Sequence, residues 1–143
     1  MLSMKAKYAL RAMIVLARHE KRMIQIKVIA NEADVPQKFL EAILLELKHH
    51  GFVDSKRGIF GGYFLSRPAA LISVGNLVRV IDGPLAPIRC ASITAYQKCD
   101  DCPDENLCEI RKIMLEVRNA IAGVLDNKTL AEMLENPSIG SGV

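Results

Sequence analysis

Two apolar-periodic segments separated by only Asp34-Val35-Pro36 constrain this chain more than any other feature of it. Val28, Ile29 and Ala33 recur at helical spacing before the break, which predicts a short helix over Ile26–Ala33 with those three as its inner face. After the break, Phe39, Leu40, Ile43, Leu44 and Leu47 repeat at three- and four-residue steps, which predicts a second helix from about Pro36 to His50. Pro36 suits a first helical turn, where its missing N–H is not needed, and Gly51 suits the left-handed residue that ends a helix. Such a pair cannot bury its apolar faces alone. Residues 4–19 read as another amphipathic helix, in which Ala6, Ala9, Leu10, Met13, Ile14, Leu16 and Ala17 share one face and Lys5, Lys7, Arg11 and Arg18 the other.

A helix, a tight turn and a second helix form the helix-turn-helix arrangement. The next stretch of chain strengthens that assignment. Phe52–Ser55 and Tyr63–Ser66 read as short strands joined by Lys56-Arg57-Gly58-Ile59-Phe60-Gly61-Gly62, a hairpin with a basic, glycine-rich tip. The fold class is therefore mainly α with a small β-hairpin: a winged helix-turn-helix over residues 1–83. A nucleotide-binding phosphate loop is excluded, because no GK[ST] occurs and no helix begins after the glycines.

Charge divides along the same boundary. Residues 1–67 carry twelve Lys/Arg against six Asp/Glu, while residues 68–143 carry seven against ten. A basic first half suits a polyanionic partner, and a solvated basic face fits the charge alone equally well.

Leu71–Asp82 is a further helical stretch, with Ser73 as N-cap ahead of Val74, Leu77, Val78 and Ile81. Gly83-Pro84 then opens an irregular segment, residues 84–108, that holds every cysteine of the chain: Cys90, Cys99, Cys102 and Cys108, spaced C-x8-C-x2-C-x5-C. Four thiols this close in sequence make a ready site for zinc or an iron–sulfur cluster, with disulfides or a thiol switch as the competing chemistries. A zinc ribbon pairs two C-x2-C knuckles, and only Cys99-x2-Cys102 is present. Asp100, Asp101, Asp104 and Glu105 lack EF-hand spacing and read as a solvated loop. His19, His49 and His50 sit near helix ends, where a structural role suffices.

Residues 106–143 form the last unit. A long helix from near Asn106 carries Ile110, Ile113, Met114, Val117, Ile121 and Val124 as one stripe, which either the first helix or, as expected here, a two-fold copy of itself would cover. A short helix over Leu130–Leu134 and a frayed Gly/Ser end are expected after it. The N-terminus interleaves charges with its apolar residues, unlike a signal peptide, and no apolar run is long enough for a membrane span. A cytoplasmic protein with no membrane partner is expected. No nucleophile–base constellation, paired carboxylates or phosphate cradle points to an enzyme.

The opening Leu2-Ser3-x-Lys5-x-x-Tyr8-Ala9-Leu10-Arg11 resembles that of the Rrf2 family of bacterial winged-helix regulators. Ile29-Ala30, Phe39-Leu40-Glu41, Leu47 and above all Ser55-x-Arg57-Gly58-x-x-Gly61-Gly62-Tyr63-x-Leu65 resemble it too, so the likeness spans the chain to about residue 134. The resemblance implies a homodimeric transcriptional regulator, expected to be a repressor, that binds a double-stranded DNA operator and senses redox, nitric oxide or iron status. By position it implies that Gln37, Lys38 and Glu41 face major-groove base edges and that Arg57 enters the minor groove. Lys56, Gly58, Gly61, Gly62 and Tyr63 complete the wing, and Ser3 and Lys5 touch the backbone. It places one iron–sulfur cluster per subunit, [2Fe-2S] or [4Fe-4S], in the cysteine segment, where cluster-binding members use three cysteines and a different fourth ligand. Here Cys90, Cys99, Cys102 and Cys108 are the candidates, with either the extra thiol completing a four-cysteine site or Cys99 or Cys102 left as a spare or resolving thiol. The dimer interface is expected on Ile110, Ile113, Met114, Val117 and Ile121. A cluster-free member answering to thiol oxidation, a metabolite or a protein partner is the alternative. The chain departs from the cluster-binding pattern at two places: Arg111 stands where a His ligand would be, and Tyr8 where an acidic one would be.

Overall fold

The computed structural model describes residues 2–134, so the Gly/Ser end lies outside the described residues. The elements in chain order are α1 (Met4–Arg18), α2 (Ile26–Ala33), α3 (Gln37–His49), β1 (Val53–Lys56), β2 (Gly62–Leu65), α4 (Val74–Asp82), α5 (Glu109–Leu125) and α6 (Leu130–Leu134), with short 3-10 turns between some of them. The mainly helical architecture with one two-stranded antiparallel hairpin is the one expected.

Helix α1 is the hub. Ala6, Ala9, Ala12 and Ala17 are buried along it, and such small side chains let α2, α3, α4 and α6 approach its backbone closely. Met13 and Leu16 fill the centre with Ile29, Leu40, Leu44 and Leu47 from the helix-turn-helix. Each such side chain contributes about 1.5–3 kcal/mol on burial. The Ser3 hydroxyl caps α1 by accepting from the Ala6 N–H at 3.0 Å.

The α2–α3 turn is built on Asp34, which adopts a left-handed conformation (φ 55°) and sends its N–H back to α2 carbonyls. Pro36 sits just before α3 rather than within its first turn, and its carbonyl accepts from Phe39 and Leu40, both at 3.1 Å. Two expected core residues are on the outside: Val28 is 43% and Phe39 48% exposed. Helix α2 is only eight residues long and is covered on one side, by Ile29 and Ala33, while Phe39 lies on the surface stacked against Tyr8 with ring centroids 6.3 Å apart.

The strands start one residue later than Phe52 and one earlier than Tyr63, and pair Val53 with Leu65 through Lys56 with Gly62. Ile24 adds a one-residue third strand, exchanging both hydrogen bonds with Tyr63 at 2.8 Å. Ser73 caps α4 as expected, accepting from the Asn76 N–H at 3.1 Å. Helix α5 begins at Glu109 instead of near Asn106, because Asp104 closes a separate 3-10 turn over Glu105–Leu107. After α5 the chain returns to the N-terminal unit: Leu130 is fully buried there, and its N–H donates to Ile72 O at 3.0 Å.

One ion pair joins α5 to that unit. The Arg79 guanidinium grips Asp126 through two parallel hydrogen bonds of 2.6 and 2.8 Å. That hydrogen bonding holds the Asp126 carboxyl below its ordinary range, against a smaller opposing effect of burial. Its contribution is therefore complete above the ordinary carboxylate range and is lost as the pH falls through the lowered folded-state value. Asp126 is 39% exposed, so solvent screening keeps the pair's worth below about 1 kcal/mol. Asp126→Asn is expected to lower stability by that amount at pH 7 and to flatten the acid limb of a denaturation series. An unchanged acid limb would remove the pair from the acid response.

Candidate functional site

At the N-terminal end of α3, Gln37, Lys38 and Glu41 are all exposed, and the buried row Leu40, Ile43, Leu44 and Leu47 fixes which way they face. The helix presents polar and charged side chains from its first turns while its other side is sunk in the core. Lys48 secures the far end of α3 to β1, donating to Ser55 Oγ at 2.8 Å.

The wing is rigid by construction. A side-chain carbon at Gly61 would lie 2.1 Å from Lys56 O, and one at Gly62 would lie 2.6 Å from Ile24 O, so both positions exclude any larger residue. The turn closes with the Gly61 N–H on Gly58 O at 3.0 Å, and the Gln25 side chain donates to Ile59 O at 3.2 Å. Lys56, Arg57 and Gly58 are exposed at the tip. They share a groove of about 400 Å³ with Gln25, Ile26 and Lys27 at the start of α2. Tyr63 is a supporting residue, half-buried against the core. Ser3 and Lys5 are already engaged: the Ser3 hydroxyl hydrogen-bonds Asp82 as well as capping α1, and Lys5 Nζ lies 2.5 Å from Glu46. Gln25 and Lys27 are not legible in the sequence as part of this surface, since about 30 residues separate them from the wing and no local pattern links the two.

All four cysteines line one cavity of about 530 Å³. Ile88, Pro103, Leu107 and Ile110 give it apolar walls. Cys90 is buried in the 3-10 turn Arg89–Ala91, Cys102 and Cys108 are half-buried, and Cys99 is exposed. Hydrogen bonding to the Cys90 thiol, then its charge, hold the Cys99 thiol above the ordinary thiol range, and desolvation raises Cys102. Cys108 is the N-cap of α5, its sulfur accepting from the Arg111 N–H at 3.4 Å. The Arg111 side chain donates to Cys90 O at 3.1 Å, so one residue ties the first and last cysteines together. A sequence separation of 21 between those partners hides this clamp from sequence reasoning.

Among the described residues no three His, Cys, Asp or Glu side chains gather tightly enough to grip a single metal ion. A polynuclear cluster is wider than one ion and takes its thiolates from around its perimeter. Four soft donors spread about one apolar-walled cavity fit that group better than they fit zinc.

On α5, Ile110, Ile113, Val117 and Val124 are 63, 51, 37 and 65% exposed, and Met114 and Ile121 are half-buried. Only Ala122 of this 17-residue helix is buried.

A helix-turn-helix with a rigid basic wing defines a winged-helix regulator of transcription rather than an enzyme. The sequence matches the family described as Rrf2, iron-dependent transcriptional regulator, over residues 2–136, and the chain belongs to it. It is 45% identical over 138 residues to an rrf2-like HTH-type transcriptional regulator of Rhodobacter capsulatus, covering 94% of this chain and 92% of that protein. The structure of CymR, the global cysteine regulator of B. subtilis, superposes with a TM-score of 0.77 at 30% identity, covering 93% of this chain and 95% of that one. IscR of T. potens superposes with a TM-score of 0.76 at 30% identity, covering 96% and 88%.

Proposed function

We propose that this regulator is a cytoplasmic homodimer that binds an inverted-repeat DNA operator and changes its grip on it with the state of an iron–sulfur cluster. The convergence of Cys90, Cys99, Cys102 and Cys108 on one cavity supports the cluster reading. These four thiolates would hold the cluster, which when bound supplies a redox- and nitric-oxide-reactive centre. Arg111 braces the holder by hydrogen bonds to Cys90 O and Cys108 Sγ. Gln37, Lys38 and Glu41 read base edges, Arg57 enters the minor groove and Lys56 meets phosphate. The bare stripe of α5 pairs with its two-fold copy, which sets the spacing of two recognition helices. No helix among the described residues is long and apolar enough to cross a membrane.

Anaerobic purification followed by visible absorbance and iron and sulfide analysis tests the reading. Brown protein with stoichiometric iron and sulfide is expected; colourless protein lacking both refutes it. A second reading rests on the four free thiols lining one cavity, a grouping that also suits a reversible disulfide switch. Colourless protein whose operator affinity follows thiol oxidation would favour it.

A further inference from the structure

Ile59 and Phe60 at the wing tip are 84 and 91% exposed, the most exposed large hydrophobic side chains among the described residues. They are not a loose end. Gly58 (φ 110°) and the Gly61-to-Gly58 hydrogen bond set the turn, and the Gln25 side chain holds the Ile59 carbonyl. The fold thus invests rigid geometry in holding two apolar groups out in water, where they add nothing to its own stability.

Their surroundings identify the occupant. Lys56 and Arg57 immediately precede the tip, and Lys27 faces them across the groove at the start of α2. A narrow apolar point between cations complements one polyanion well: duplex DNA, whose minor groove is about 6 Å wide and whose stacked bases are apolar. Apolar side chains entering that groove unstack a base step and bend the duplex toward the major groove.

We propose that Phe60, backed by Ile59, is a wedge that enters the operator minor groove at a deformable pyrimidine–purine step. Arg57 lies beside it in the groove, and Lys56 and Lys27 meet the adjoining phosphates. The wedge makes the operator's flexibility part of what the protein reads, at base pairs it does not hydrogen-bond. This rests on the DNA-binding reading above.

The probe is the tightest duplex that the unmodified protein selects from a random-sequence library, carrying 2-aminopurine at the step facing the wing. Phe60→Ala is expected to bind it about tenfold more weakly. The salt dependence of binding stays unchanged, because no phosphate contact is lost. The rise in 2-aminopurine fluorescence on binding disappears, and Phe60→Leu, still apolar, retains most of both signals. Lys56→Ala is the contrast, weakening binding and flattening the salt slope. Phe60→Ala matching the parent in affinity and fluorescence overturns the wedge alone. So does a Phe60→Ala protein that loses self-association in the absence of DNA, which would give the tip to a protein contact. An unmodified protein that selects no duplex overturns the DNA-binding reading and the wedge with it.

Discussion

Cys108→Ser is expected to purify colourless while melting close to the parent apoprotein, and Cys108→Ala to be colourless and about 1 kcal/mol less stable than that apoprotein. The two variants separate the two tasks of one sulfur. As the α5 N-cap, Cys108 satisfies the Arg111 N–H, and a serine hydroxyl fills that place well. As a ligand in the proposed cluster site it would supply a soft thiolate at the positive end of a long helix dipole, which a hydroxyl does not match. Visible absorbance with iron content reads the ligand task, and apoprotein thermal denaturation reads the cap. Full iron content in both variants would exclude Cys108 from the ligand set. Equal melting of Ser and Ala variants would remove the cap from the stability of α5.

The other large effect is expected at Ile113. Ile113→Glu places a charge in the middle of the bare α5 stripe, where in the dimer it would be buried opposite its own copy. The side chain is 51% exposed in the single chain, so the fold itself is kept. Sedimentation at micromolar concentration is expected to give the mass of one chain. Operator affinity falls by about two to four orders of magnitude, because two linked half-site contacts become independent. A variant that still sediments as a dimer would move the interface off this face of α5.

Helices α1 and α3 and the wing are legible in the sequence because periodic burial and glycine-rich turns leave local signatures. The mismatches come from what lies around an element. Val28 and Phe39 have the right spacing for a core, but no neighbour covers Val28, and Phe39 finds its partner Tyr8 on the surface. Ile24 pairs with Tyr63 through a single residue, too short to carry any alternation. The cysteines are legible as a cluster because their spacing is local. Arg111 as their brace is not, since its contact with Cys90 spans two turns and a loop. The start of α5 is hidden for a similar reason: Asp104 closes a preceding turn where periodicity alone would extend the helix.

The return of the chain after α5 has a mechanical consequence. A long C-terminal helix that simply ran off the end of a domain would swing as a free arm. Here the Arg79–Asp126 fork and the burial of Leu130 pin its far end to the same body that carries the wing. The near end, at Cys108, hangs from a loop held by Arg111. A rod about 26 Å long, hinged at one end and suspended at the other, pivots rather than slides. In the proposed dimer, small rearrangements at the suspended end would become a change in the angle at which two such rods cross. The distance between the two wings of that dimer would then be set by an angle.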